Sequence, residues 1–265
     1  MTREPRDPER VRARLVDWIA SCVAESGTSG AVIGLSGGVD SSVACALAAE
    51  ALGPDRCLGI ILPIESAPDD GRLAREVADA FGVRAVEVAL AKPFAALLEA
   101  LTEARGALGD AGAGVPVAGD PRSAVPGLAR MNLKPRLRMT SLYYFSNTLN
   151  RLVIGTGNAV EFALGYFTKH GDGGADIFPL GDLVKAEVWA LARALGVPRE
   201  VIERPPSAGL APDQTDEGEL GMSYADLDAY FLRGTSGDGA LDERIGGLIR
   251  GSRHKLASAP IARLD

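Results

Sequence analysis

The chain has 265 residues, 46% of them hydrophobic, with a formal net charge of −7 and a pI near 5.0. That length holds one large α/β domain or two small ones with a sizeable core, and the acidic balance argues against a general nucleic-acid binder. No apolar run approaches a membrane span, and the charged stretch Met1–Asp7 lacks the apolar centre of a signal peptide, so a cytoplasmic location is expected.

From the N-terminus, Asp7–Glu25 carries Val11, Leu15, Trp18, Ile19 and Val23 at steps of three and four, which predicts a helix. Ala31–Leu35 is a short apolar run and predicts a buried parallel strand. Ser36-Gly37-Gly38 then turns the chain into Val39–Leu52, a helix rich in Ala and Leu. Cys57–Leu62 and Arg84–Val88 predict further strands, with helices at Asp69–Phe81 and Pro93–Ala104. Arg105–Gly127 is mostly Gly, Ala, Pro and Asp, and reads as a flexible surface loop rather than a domain boundary. Lys134–Asn150 predicts a helix with Pro135 in its first turn, followed by a fourth strand at Leu152–Gly155. Helices are expected at Asp182–Leu195, Pro198–Arg204, Tyr224–Leu232 and Leu241–Leu256. Alternating β and α segments imply a doubly wound parallel sheet with helices on both faces. Ligands of such sheets bind beyond the carboxyl ends of the strands, where Ser36–Ser42 and Thr156–Glu161 should lie. Cys22, Cys45 and Cys57 show no CxxC or metal spacing and read as buried thiols.

The most informative stretch joins the first strand to its helix: Ser36-Gly37-Gly38-Val39-Asp40-Ser41-Ser42. Glycines let backbone amides approach an anion, and the helix N-terminus adds a favourable dipole. No Gly-Lys-Ser/Thr follows, so this is not the familiar P-loop. Asp40 instead lies among three hydroxyls, Ser36, Ser41 and Ser42. An acid among phosphates calls for a cation between them, and Mg²⁺ is the usual choice. Glu161 falls in the first turn of the helix after Thr156-Gly157-Asn158, where it is either an ordinary helix cap or a second Mg²⁺ ligand opposite Asp40. Lys169-His170-Gly171-Asp172-Gly173-Gly174-Ala175-Asp176 is a polar loop with charges of both signs, suited to phosphate and ribose hydroxyls. Arg136 and Tyr143 share a helical face, an arrangement able to hold a ring carboxylate or a phosphate. Lys185 alone reads as a solvated charge.

The SGGVDSS loop resembles the pyrophosphate loop of ATP pyrophosphatases, which cut ATP between its α and β phosphates. With NLKPRLRM, GTGNAVE, GYFTKHGDGGADIFPLGDLVK, PPSAGLAPDQTDEGELGMSYADLD and the pair His254-Lys255, the order of motifs resembles the NAD synthetase family, ammonia-dependent type, from Ala31 to Lys255. The resemblance implies an adenine nucleotide alpha hydrolase-like fold with added C-terminal helices, residues 1–265 forming a single domain. It implies ATP-dependent amidation of deamido-NAD by ammonia to NAD, AMP and pyrophosphate through an acyl-adenylate, with Mg²⁺ as cofactor and ATP as co-substrate. ATP would be lined by Gly34, Leu35, Ser36, Gly37, Gly38, Val39, Asp40, Ser41, Thr156, Lys185 and Ser207. Asp40 and Glu161 would hold Mg²⁺. Deamido-NAD would meet Arg136, Lys169, Asp176, His254 and Lys255, with Asp172 nearby as a catalytic group beside Asp40 and Lys185. Met131 and Pro135 stand where relatives often carry Gly and Ala, and Ser207 where Thr is frequent.

Neither chemical step needs a protein nucleophile, so the protein must align the reactants and neutralise charge on the pyrophosphate. Other readings are another adenylating amidotransferase or thiolase of this loop class, such as a tRNA thiolase or GMP synthetase, and a non-catalytic ATP-binding module. A thiolase would want catalytic cysteines and a basic RNA face, and a binding module has no need of the Asp40/Glu161 pair. No glutaminase portion with a nucleophilic Cys is visible, so free ammonia is the expected donor, with a separate glutaminase subunit left open. A homodimer is implied by the resemblance, the Tyr143–Leu149 stripe meeting its copy across a two-fold axis.

Overall fold

The computed structural model describes residues 3–107, 126–207, 209 and 215–264. Strands β1 (Ala31–Gly34), β2 (Cys57–Ile61), β3 (Arg84–Glu87) and β4 (Leu152–Ile154) form one parallel sheet in the order β3-β2-β1-β4. Ala31 pairs with Cys57 on one side and Leu152 on the other, so β1 is central. Its residues alternate between two cores: Ala31 and Ile33 face one, Val32 the other. Burial on both faces explains why the parallel strands read as unbroken apolar runs. The edge strand β3 exposes Arg84 and Glu87, charges that discourage further pairing. The strands fall where the sequence places them, each shorter by one residue.

Helices α1 (Pro8–Ser26), α2 (Val39–Leu52) and α3 (Pro68–Ala80) build the core on one face of the sheet. Asp7 caps α1, accepting the amide of Arg10 at 2.9 Å. Val43 to Ala48 of α2 are all buried, as a helix apolar on every side must be. Helices α4 (Ala91–Gly106) and α5 (Pro126–Leu149) cover the other face through Phe94, Leu133, Leu137 and Leu142. The chain continues through α6 (Ala159–Leu164), α7 (Lys185–Leu195), α8 (Arg199–Glu203), α9 (Asp216–Leu220), α10 (Tyr224–Arg233) and α11 (Gly239–Leu256). Helix α7 joins the first core, whereas α6, α9, α10 and α11 share a separate cluster around Val160, Tyr224 and Ile245.

Three expectations are corrected. Helix α5 starts at Pro126, so Pro135 lies inside it rather than in its first turn. A buried interior proline forfeits a backbone bond, about 3 kcal/mol. Leu133 and Leu137, on either side of it, dock into the core beneath and offset that loss. Helix α7 begins at Lys185, not Asp182. Helix α9 was not expected at all. Of the Arg105–Gly127 segment, its ends belong to α4 and α5, and 108–125 lies outside the described residues. Among the described residues no helix is long and apolar enough to cross a membrane.

Candidate active site

The loop after β1 has the geometry of an anion cradle. Gly37 adopts φ +78, and a side chain there would collide with the Asp70 carbonyl at 2.6 Å. Only glycine accepts both constraints. The serine hydroxyls brace the turn: Ser36 Oγ contacts Ser41 Oγ at 3.0 Å and accepts the Gly38 amide at 3.2 Å, and Ser41 and Ser42 donate to the Gly38 carbonyl at 2.9 and 2.8 Å. No side chain caps the N-terminus of α2, so its first turn faces the cleft. The cleft has a volume of about 1060 Å³, and Gly34, Leu35, Ser36, Gly38, Val39, Asp40, Ser41, Thr156, Glu161 and Ser207 all line it.

Lys185 opens α7 and is 1% exposed. Its ammonium meets Asp40 Oδ2 at 2.5 Å and lies 5.0 Å from the centroid of the Tyr224 ring. Burial works against that charge, but Asp40 and Glu161 outweigh it and hold the ammonium above its ordinary range. Asn158 is fully buried and ties the cluster together. Its amide group donates to Asp40 Oδ1 at 3.2 Å, and its Oδ1 accepts the amides of Val160 and Glu161 at 3.0 and 3.1 Å. Glu161 accepts the Asn158 amide at 3.0 Å, a reciprocal capping box, so the ordinary role of this acid is realised. Burial and then the Asp40 charge push its carboxyl well above the usual range. Two carboxylates converge here beside a phosphate cradle, and a cation, the Lys185 ammonium, already rests on one of them. That donor set fits Mg²⁺, which is usually held by one or two carboxylates plus substrate phosphates.

Residues that the sequence reading passed over complete the cluster. Asp216, 4% exposed, accepts the hydroxyls of Tyr224 at 2.9 Å and Tyr166 at 3.2 Å. Asp228 on α10 accepts the amides of Lys185 and Ala186 at 3.0 and 2.7 Å, closing the N-terminus of α7. Glu187 accepts the Val184 amide at 3.1 Å; Arg3 of the N-terminal arm donates to both its oxygens, and the Arg6 amide to Oε1. Thr215, a residue type favoured at helix N-caps, was the one local signal for α9, and the Ser223-x-x-Asp226 capping box starts α10 at Tyr224, where the sequence places it.

The cleft is also lined by Asp172, Arg138 and Lys255. Asp172 opens to the cleft, yet the protein around it raises its carboxyl, against the Thr168 amide that it accepts at 2.9 Å and the Lys255 and Arg138 charges. Arg138, also missed, donates to the Leu62 carbonyl at 3.1 Å, and burial lowers its pKa. Lys255 Nζ donates to the carbonyls of Gly165 and Phe167 at 2.7 and 2.9 Å. Arg136, Lys169 and His254 meet on a rim beside the cleft, not in it. Arg136 donates to the Lys169 carbonyl at 3.3 Å, and Lys169 Nζ to the His254 carbonyl at 2.8 Å. Asp176 lies elsewhere, accepting the Val153 amide at 2.7 Å and the Tyr143 hydroxyl at 2.9 Å. Tyr143 therefore serves Asp176 and is not a partner of Arg136.

A parallel α/β sheet whose central strand runs through Ser-Gly-Gly into a buried helix defines the pyrophosphate-loop class of ATP-using enzymes. The NAD synthase family model matches residues 11–258, and the chain belongs to that family. It is 43% identical to the NH(3)-dependent NAD(+) synthetase of Carboxydothermus hydrogenoformans over 93% of this chain and 94% of that protein. The namesake from Archaeoglobus fulgidus is 42% identical over 97% of each. Among solved structures, an NMN synthetase from Francisella tularensis superposes with a TM-score of 0.85 at 33% identity, over 98% of this chain and 100% of that one.

Proposed function

We propose that the chain catalyses the ATP-dependent amidation of deamido-NAD with ammonia to NAD, AMP and pyrophosphate, residues 1–265 acting as one domain. The observation that carries this reading is the Asp40–Lys185 pair, held at 2.5 Å where the Ser36–Ser42 cradle opens into the cleft. The nicotinate carboxylate is a poor acyl donor, since oxide is a bad leaving group. Its attack on the α-phosphate expels pyrophosphate and gives an acyl-adenylate. Ammonia then attacks the acyl carbon, and AMP leaves with the carboxylate oxygen. The first-turn amides of α2, Val39–Ser41, bind the departing phosphates, and Lys185 meets the charge that grows on them. Asp40 and Glu161 would hold Mg²⁺, which supplies charge neutralisation between the phosphates. Thr156 and Ser207, which both line the cleft, contact ATP, and Asp172 stands beside the reacting carboxyl.

Deamido-NAD would be held by Lys255 in the cleft and by Arg136, Lys169 and His254 on the rim, with Asp176 fixing the strand end below. That split favours a homodimer. Tyr144 is 67% and Leu149 40% exposed on α5, the helix that carries Arg136, and a second copy on this stripe would cover both. Soluble nucleotides as substrates fit a cytoplasmic enzyme with no nucleic-acid or membrane partner. The likeness to an NMN synthetase supports a second reading, in which the mononucleotide is the acyl donor.

The test is direct. Purified protein is given ATP, Mg²⁺, either ammonium or glutamine, and either deamido-NAD or nicotinate mononucleotide. NAD and AMP from deamido-NAD with ammonium are expected, with glutamine poor. A higher kcat/KM for the mononucleotide moves the reading to the second substrate. AMP release with neither acyl donor consumed overturns both.

A further inference from the structure

We infer that Asp216 is a positioning residue for the adenylation step: through Tyr224 it fixes the seat in which the Lys185 ammonium rests. The inference depends on the reading of Lys185 as the cation that meets the ATP phosphates.

A lysine stem has four flexible carbons. An ammonium stabilises developing charge well only if it is already in place when the charge appears. Lys185 is buried to 1% exposure, so its surroundings must do the placing. Asp40 bonds the ammonium at 2.5 Å, and the face of Tyr224 lies 5.0 Å from it. Desolvated cation–π contacts of this kind are among the stronger ones.

The ring of Tyr224 is fixed at three points. Its edge meets Trp189, one turn along α7 from Lys185, with centroids 6.0 Å apart at 77°. Its amide donates to Glu217 Oε1 at 2.8 Å, and its hydroxyl to Asp216 Oδ2 at 2.9 Å. The hydroxyl bond sets the tilt of the ring face, because it acts at the end farthest from the backbone.

Asp216 is not needed to cap α9. Thr215 does that, accepting the Gly218 amide at 3.2 Å. The carboxylate is instead engaged by two phenols, Tyr224 and Tyr166, and the Asp216 amide is anchored to the Pro206 carbonyl at 3.1 Å. A carboxylate 4% exposed is expensive to bury, and an apolar residue would pack α9 at less cost. Its negative charge also favours the Lys185 cation. The acid thus orients the ring and supports the charge that rests on it.

A kinetic double-mutant cycle tests this. Tyr224→Phe keeps the ring and removes only the tether, and Asp216→Asn removes the charge. Each is made in the native protein and in Lys185→Ala. In the native background each variant is expected to lower kcat about tenfold with KM for ATP changed less than about twofold, the pattern of a lost transition-state interaction. In Lys185→Ala the same changes should lower kcat by less than about twofold, since groups acting through one another are not additive. An undiminished tenfold loss in the Lys185→Ala background overturns the inference alone. So does a rise in KM for ATP at constant kcat. A Lys185→Ala enzyme with native kcat overturns the inference together with the reading beneath it. If Asp216→Asn does not fold, the isosteric Tyr224→Phe decides the question by itself.

Discussion

Asp228→Ala measures how firmly α7 is held. This carboxylate is 6% exposed and accepts the amides of Lys185 and Ala186 at 3.0 and 2.7 Å. The residue before the helix is Val184, which has no side-chain acceptor of its own. Burial holds the Asp228 carboxyl above the usual range, and the two amides pull the other way. Removing an N-terminal cap costs about 1–2 kcal/mol, and leaving a buried amide without an acceptor costs about 1–3 kcal/mol. The cap and one residual orphan amide overlap, so about 2–3 kcal/mol is the expected loss. At about 2–4 °C per kcal/mol for a chain of this size, the melting temperature should fall by roughly 5–10 °C. Asp228→Asn keeps one acceptor oxygen and should lose about half as much. Differential scanning calorimetry on nucleotide-free protein reads both, and an Asp228→Ala midpoint within about 1 °C of native would refute the argument. Lys185 is the first residue of that turn, so kcat should fall as well.

Glu161→Gln keeps the cap on Asn158 and removes the charge, so it should fold normally while the Mg²⁺ needed for half-maximal activity rises on the order of tenfold; an unchanged Mg²⁺ titration would leave Glu161 as a cap only. Because the folded-state pKa of Glu161 is raised, the native state keeps a proton that the unfolded chain loses, and the stability of nucleotide-free protein should fall as pH rises from the ordinary carboxylate range through that raised value. Mg²⁺ affinity should rise over the same window, since the ligand must be deprotonated; melting curves against pH, with and without Mg²⁺ and in Glu161→Gln, would show the slope and its loss. Arg138→Ala, which empties a desolvated cation from the cleft wall, should raise KM for deamido-NAD by about tenfold and spare KM for ATP. If the proposed dimer forms, Tyr144→Glu should dissociate it in light scattering and weaken deamido-NAD binding with it; a fully active monomer would refute the shared-site reading.

The sheet was legible because β1, β2 and β4 are short apolar runs spaced by helical segments, and because Ser36–Ser42 follows the first of them. The cradle residues and Asp40 were legible for the same reason: local turn chemistry dictates them. What escaped was set by distance along the chain. Asp228 closes a helix that begins 43 residues earlier, and Asp216 reaches Tyr166 from 50 residues away; neither pairing leaves a periodic trace. Pro135 misled because proline usually marks a helix start, whereas here the packing of Leu133 and Leu137 keeps it inside α5. Helix α9 is only five residues long, too short to show a hydrophobic face.

The two helix N-termini that converge near Asp40 are treated oppositely, and the difference assigns their roles. At α2 the capping position is Gly38, with no side chain to offer, and the serine hydroxyls are turned on the loop's own carbonyl and on each other. Its first-turn amides and the positive end of its dipole are therefore left for an outside anion. At α7 the same groups are already satisfied by Asp228, with Glu187 and the arginines of the N-terminal arm behind it. That end of α7 cannot take a phosphate on its backbone. What it can present is the Lys185 side chain, a buried point charge held by Asp40 on a closed helix end. One helix thus contributes a fixed cradle and the other a single cation, and Asp40 lies between them, bonded to the second and part of the first. In the proposed reaction, ATP in the cradle brings its phosphates to an ammonium already seated beside them, so their attraction strengthens as the charge grows and favours the step that expels pyrophosphate.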